Sequence, residues 1–449
     1  MIVDRTIAPP PGSITQISFP KYITTSLDNG VPLYLVENHN QPLVSISLYL
    51  RNGSSLDKKE TQGLASLTSE LLTKGTSKRT ATQIAETIDF VGGSLGASSS
   101  WDATTVSTAV LSRYIDTAID LLSDVALNAA FAPEEVDRIK TQRLAGLRQA
   151  KSDPGYLADV IFSKDIYGPH PYSFEAAGTE STIANLSSEQ LKAFFATICM
   201  PANAFFIVAG DVTESEIVKK LSEAFAIWSN NIPVAYHPPI VEPNPKTKVL
   251  LVEKPQAVQS ALRIGHLGIN RSSPDYVHCY VLNMLLGGFF NSRINQNLRE
   301  RNGFTYGARS FFDARKQSGS FIVSTEVRTE VTAAATLEII NELRAIRSAP
   351  VGPGELETVQ RYIIGSFPIS IETPQQVAAR VATLVLYGLP SSYYDEFRDA
   401  VAATTTDDLL RAAGLHIQPD ALTIAISGDA KTLEPELRSF GDVEIVPVW

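Results

Sequence analysis

The feature that most constrains this chain is that its two halves repeat. Leu35-Val36-Glu37 returns as Leu251-Val252-Glu253. Pro133 and Glu135 return as Pro353 and Glu355, Tyr167-Gly168 as Tyr387-Gly388, and Gly210-Asp211 as Gly428-Asp429. The four matches keep one order at offsets of 216 to 220 residues. Chance gives any one of them easily, but not all four in register. Between the copies, residues 231–246 hold Pro233, Pro238, Pro239, Pro243 and Pro245. Such a stretch forms neither a helix nor a central strand and reads as a linker. The predicted organisation is an extended arm over 1–20, marked by Pro9-Pro10-Pro11-Gly12, a first half over 21–230, the linker, and a second half over 247–449.

Within each half, strand and helix patterns are mixed. Residues 44–51, 205–209 and 422–427 read as strands. Residues 58–74 place Leu64, Leu67 and Leu71 on one helical face, with Gly75 as the stop. Residues 134–150 and 329–347 repeat the helical period, the second through Val331, Leu337, Ile340 and Leu343. The predicted class is α+β: two homologous halves, each a mostly antiparallel sheet with helices on one face.

Charge and composition narrow the function. The 449 residues carry 38 Lys+Arg against 48 Asp+Glu, a formal charge of −10. This argues against general binding to nucleic acid or anionic membranes, which needs a surplus of cations. No apolar run reaches the ~18 residues of a membrane-spanning helix. The start lacks the layout of a secretory signal, so the expected compartment is the cytoplasm, or the periplasm if a signal has been removed. Two cysteines, Cys199 and Cys279, are too few for a disulfide framework.

Two motifs point to a family. The segment from Gly63 to Thr76 (GLASLTSELLTKGT) resembles the first active-site helix of the pitrilysin/insulinase, or M16, zinc peptidases. There the helix carries His-x-x-Glu-His and ends Lys-Gly-Thr. Two histidines at i and i+4 face one zinc, and the glutamate is general base to the metal-bound water. The resemblance places the first histidine at Ser66, the base at Ser69, the second histidine at Glu70 and a distal carboxylate ligand at Gly146. All four positions are changed. None of the six histidines forms a helical pair, and His170 in Gly168-Pro169-His170-Pro171-Tyr172 reads as structural. No zinc ligand set is expected in this chain.

The second motif survives. Residues 285–306 hold Gly287, Gly288, Ser292, Arg293, Leu298, Arg299, Glu300, Gly303 and Tyr306, in the pattern of the family's second-half segment. The resemblance implies that Arg299 and Tyr306 reach towards the zinc site of an opposing half or subunit. An arginine fork can hold a substrate carbonyl, and a tyrosine hydroxyl can donate to a developing oxyanion. Gly96, Ala97 and Ser98 resemble the family's substrate-pairing edge strand, with Gly96 where the family usually has Asn. The family also implies paired subunits, some keeping zinc and others keeping Arg and Tyr. The resulting expectation is a zinc-less, peptide-binding subunit with no cofactor of its own. Its partner would be a zinc-bearing homologue or a second copy of this chain. The alternative is a non-catalytic homodimeric scaffold of the same fold, inactive as an isolated chain in either case.

Overall fold

The structure, a computed structural model, describes residues 17–229 and 238–448. Most of the expected arm and residues 231–237 of the expected linker lie outside it. Residues 238–246 run without helix or strand.

The first sheet comprises β1 (Ile23–Ser26), β2 (Pro32–Glu37), β3 (Leu43–Leu50), β4 (Ser94–Ser99), β5 (Thr104–Leu111) and β6 (Ala204–Gly210) in the order β1-β2-β6-β3-β5-β4. The second comprises β7 (Lys248–Glu253), β8 (Gln259–Gly268), β9 (Ala308–Ala314), β10 (Gly319–Arg328), β11 (Thr423–Gly428) and β12 (Val443–Val446) in the order β12-β7-β11-β8-β10-β9. Taking β2 to correspond to β7, the next four strands follow in the same spatial order. Each sheet has one internal parallel pair, β2 with β6 and β7 with β11. Only the outer strand differs: β1 runs antiparallel to β2, whereas β12 runs parallel to β7. The α+β architecture of two like halves is therefore the observed one.

Five helices position the sites. They are α1 (Leu64–Leu71), α2 (Pro133–Ala150), α3 (Pro154–Tyr167), α4 (Tyr276–Asn283) and α5 (Pro353–Ser366). Two more that the argument uses, α6 (Pro374–Tyr387) and α7 (Tyr393–Ala403), belong to the second half. Helix α1 is shorter than its leucine spacing predicts. Gly63 has φ +86, a left-handed conformation that breaks any helix arriving from residue 58. A side chain there would also collide with the backbone of Gly178, 2.7 Å from its Cβ position. The buried Asp57 carboxylate then caps α1, accepting from Gly63 N at 2.9 Å and Ala65 N at 3.0 Å.

The sheets are covered on both faces. Each half's own helices pack one face, burying Leu33, Ile46, Leu48, Val106 and Val208 in the first half and Val249, Leu262, Ile264 and Val323 in the second. The opposite face takes a helix from the other half. Helix α3 sets Leu157, Ile161 and Phe162 against Leu250, Val252 and Ala425. Helix α6 sets Val377, Val381 and Ala382 against Phe205, Ile207 and Ala209. The two helices start alike, with Asp153 and Thr373 capping a proline at the first helical position. This exchange explains why β3 is buried at nearly every position rather than at alternate ones. One helical assignment needs correction: Leu337, read as inward-facing, is exposed, because the helix Thr332–Ser348 turns Thr336, Ile339 and Ile340 to the core instead.

Candidate active site

Ser66, Ser69 and Glu70 lie on α1, and Gly146 lies on the neighbouring α2. The same helix α2 contributes Arg143, one turn before Gly146. Its guanidinium donates to Ser66 Oγ at 2.8 Å and Ala177 O at 3.3 Å, and it forms a close ion pair with the Glu70 carboxylate. Ser69 is buried and donates to the Ser66 carbonyl at 2.9 Å. Arg143 ties together the polar positions Ser66 and Glu70 of α1, both of which stay partly exposed. At Gly146 a side chain would meet nothing within 4 Å.

This donor set does not fit zinc. It offers one carboxylate and two hydroxyls, and the carboxylate already holds a cation. Zinc takes three or four N, S or carboxylate ligands. Among the described residues, no group of three or more His, Cys, Asp or Glu side chains could hold a metal ion. Nor do the cysteines offer a nucleophile, since burial pushes both thiols up to about 12. His170 is buried; its Nδ1 accepts from Tyr172 N at 3.0 Å and its Nε2 lies 2.8 Å from Gln317 of the other half. It serves the packing between halves.

Arg299 and Tyr306 come together in a different place. They line a cavity of about 590 Å³ built by second-half residues. Ser292 precedes a short helical turn, Arg293–Asn295, which widens into a π-type turn over Gln296–Arg301. Gly303, at φ +61, then reverses the chain and delivers Tyr306. Irregular turns of this kind recur at functional sites. The Arg299 guanidinium sits 4.4 Å from the Phe290 ring centre, and its Nε lies 3.5 Å from Glu300. Tyr306 is 98% exposed, so its hydroxyl is committed to no buried packing.

Two further arginines reach this cavity. Ser324 of β10 pairs in register with Arg263 of β8 on one side and Arg309 of β9 on the other. Residues paired across adjacent strands share one face. Arg263 is held by Asp159 of α3 through bonds of 2.5 and 3.1 Å. Arg309 is exposed, and Glu326 is the acidic residue in the lining. None of Ser66, Ser69, Glu70 and Gly146 lines this cavity, so the two motif regions are separate in one chain.

Gly96, Ala97 and Ser98 fall on β4, which pairs with β5 alone and forms the end of the first sheet. Its outer main-chain groups are free to pair with an added strand among the described residues. Sequence reading missed Arg143 as a site residue, and also Arg263 and Arg309. Arg143 stands in the helical period of α2, but nothing local links it to Ser66 or Glu70. The other two become neighbours only once strand register is known.

A two-half α+β chain with an M16-like helix carrying Ser66, Ser69 and Glu70 and an M16-like segment carrying Arg299 and Tyr306 has a peptidase-type fold. Family comparison agrees. The model described as insulinase, peptidase family M16, matches residues 33–172, and that described as peptidase M16 inactive domain matches residues 185–363. Together these span most of the sequence, and the chain belongs to the M16 family. A Helicobacter pylori protein named non-peptidase homolog YmxG is 26% identical over 409 residues, covering 89% of this chain and 92% of the relative. A Bacillus subtilis protein named as an uncharacterized zinc protease, YmxG, is 25% identical and covers 78% and 85%. The crystal structure of a peptidase M16 inactive domain from Pseudomonas fluorescens superposes with a TM-score of 0.85 at 27% identity, over 91% of this chain and 98% of that one.

Proposed function

We propose that this protein is the zinc-less member of an M16 peptidase assembly and lends Arg299 and Tyr306 to the active site of a zinc-bearing homologue. The observation that carries the reading is the exposed Tyr306 beside Arg299 in an open cavity. A phenol that packs against nothing in its own chain is available to a site completed by another. In that site Arg299 holds the substrate's carbonyl side, and Tyr306 donates to the oxyanion that develops during attack. An extended peptide adds to the free edge of β4 through main-chain hydrogen bonds along Gly96, Ala97 and Ser98. Zinc and the attacking water belong to the partner; this chain holds no cofactor. Among the described residues no helix is long and apolar enough to cross a membrane.

A second reading, a homodimeric peptide-binding scaffold without hydrolysis, draws support from the Arg143–Glu70 pair, which closes the metal position with a protein cation. Co-purification with a His-x-x-Glu-His homologue and a peptide-cleavage assay separates the two. Cleavage only by the mixed complex supports the first reading. A stable homodimer that binds peptide, with no gain in cleavage on mixing, supports the second.

A further inference from the structure

A second cationic cavity lies apart from Arg299 and Tyr306. It measures about 100 Å³ and sits between α4, the end of α5, α6 and α7. Arg271 forms its floor and is only 8% exposed. The Arg271 guanidinium stacks 3.7 Å from the Tyr276 ring centre and 4.9 Å from that of Tyr393. Its Nη1 has no hydrogen-bond partner among the described residues, and the Tyr393 hydroxyl has none beyond the Arg271 guanidinium beside it. Arg380 shares the cavity with Ser366 and Ser370, and among the described residues no acidic side chain lines it.

A buried guanidinium without a counter-ion is costly. The chain shows how the same arrangement is neutralised elsewhere. Arg315 is also ringed by aromatics, with Trp101 and Tyr172 each at 4.8 Å and Tyr167 at 5.1 Å. There Asp313 accepts from Nε at 2.8 Å and from Nη2 at 2.6 Å. Around Arg271 the aromatic ring is present and the carboxylate is missing. Aromatic faces attract the cation but supply no acceptor for its N–H groups. The free donors of Arg271 and Tyr393 beside the Arg380 cation call for a compact acceptor of negative charge. About 100 Å³ admits a carboxylate or phosphate group, and guanidinium matches either with paired N–H bonds. Ser366, Ser370 and Arg380 are half-buried, so an ion reaches the cavity from solvent.

We propose that Arg271, Arg380 and Tyr393 form a binding site for a small oxyanion, a carboxylate or a phosphate, distinct from the Arg299–Tyr306 cavity. The test is calorimetry and thermal melting of the full chain with sodium phosphate or sodium acetate, against sodium chloride at equal ionic strength. One of the two oxyanions is expected to bind at one per chain and to raise the melting temperature, while chloride does not. Preference for phosphate over acetate assigns a phosphoryl ligand, and the reverse assigns a carboxylate. Arg380→Gln is expected to weaken binding about tenfold or more, the loss of a charge-assisted hydrogen bond. Arg271→Gln is expected to abolish binding; should that variant not fold, the half-buried Arg380→Gln carries the decision. No oxyanion effect beyond chloride, or unchanged affinity in Arg380→Gln, overturns the proposal.

Discussion

The Arg143 guanidinium opposes any cation brought to the side chains it holds, Ser66 and Glu70. Consider the variant carrying Ser66→His, Ser69→Glu, Glu70→His and Gly146→Glu, which restores the family's ligand pattern. Arg143 bonds to the side chains of two of these positions, Ser66 and Glu70, so its cation remains beside any ion bound there. A unit charge and a divalent ion about 4 Å apart, at an effective dielectric near 20, repel by about 8 kcal/mol. Swinging the arginine outwards recovers part of that, at the loss of its packing. Each ~1.4 kcal/mol is tenfold in affinity, so even a quarter of the repulsion costs more than tenfold. The fourfold variant is therefore expected to bind zinc at least tenfold more weakly than the fivefold variant that adds Arg143→Gln. Competition with a chromophoric chelator measures both. In the native background the pair is worth less, because Glu70 is 37% exposed: Arg143→Gln alone is expected to cost about 1 kcal/mol of stability by denaturant midpoint. Equal zinc affinity with and without Arg143 would refute the reasoning.

In a complex with a zinc-bearing partner, Tyr306→Phe is expected to lower kcat by about 10²–10³, the usual effect of losing an oxyanion donor, with assembly unchanged by gel filtration. Arg299→Ala should act mainly by raising KM, since it grips ground and transition states alike; wild-type kinetics in both variants would sink the shared-site mechanism. Leu157→Ala opens a cavity where α3 crosses to the other sheet, and should cost about 2–5 kcal/mol while melting remains a single transition. Burial raises the Asp57 carboxyl to about 7 from an ordinary 3.8, against two backbone N–H groups that favour its charged form. The folded state thus keeps this proton to higher pH than the unfolded one. Its stabilising contribution is full below about pH 4 and fades as pH rises through about 7. The stability of wild type minus that of Asp57→Asn should fall over that window by urea titration, and a flat or rising difference would contradict it.

The repeat and the α+β class could be read from the chain because they rest on local signals. Copied motifs keep their spacing, and strands and helices keep their periods. What could not be read depends on contacts between distant residues. The α3 apolar positions look like those of any amphipathic helix, and nothing in them says that their sheet lies in the other half. The M16-like frame around Ser66, Ser69, Glu70 and Gly146 could be read from the residues, but the bonds from Arg143 to Ser66 and Glu70 span more than seventy residues. Likewise the segment around Arg299 and Tyr306 announced itself through its glycines and charges. That Arg263 and Arg309 share its cavity depends on strand register, which no local pattern encodes.

The crossing of α3 and α6 bears on what counts as one folding unit. A half expressed alone would leave one face of its sheet, Phe205, Ile207 and Ala209 in the first half, without a cover. It would need a second half to bury that face. The chain is in this sense a dimer whose two members share one polypeptide, each having handed the other a helix. The connection through the proline-rich segment keeps the members together at high effective concentration, while the exchanged helices hold them in place. A nick between the halves should therefore leave a complex that still migrates and melts as one body.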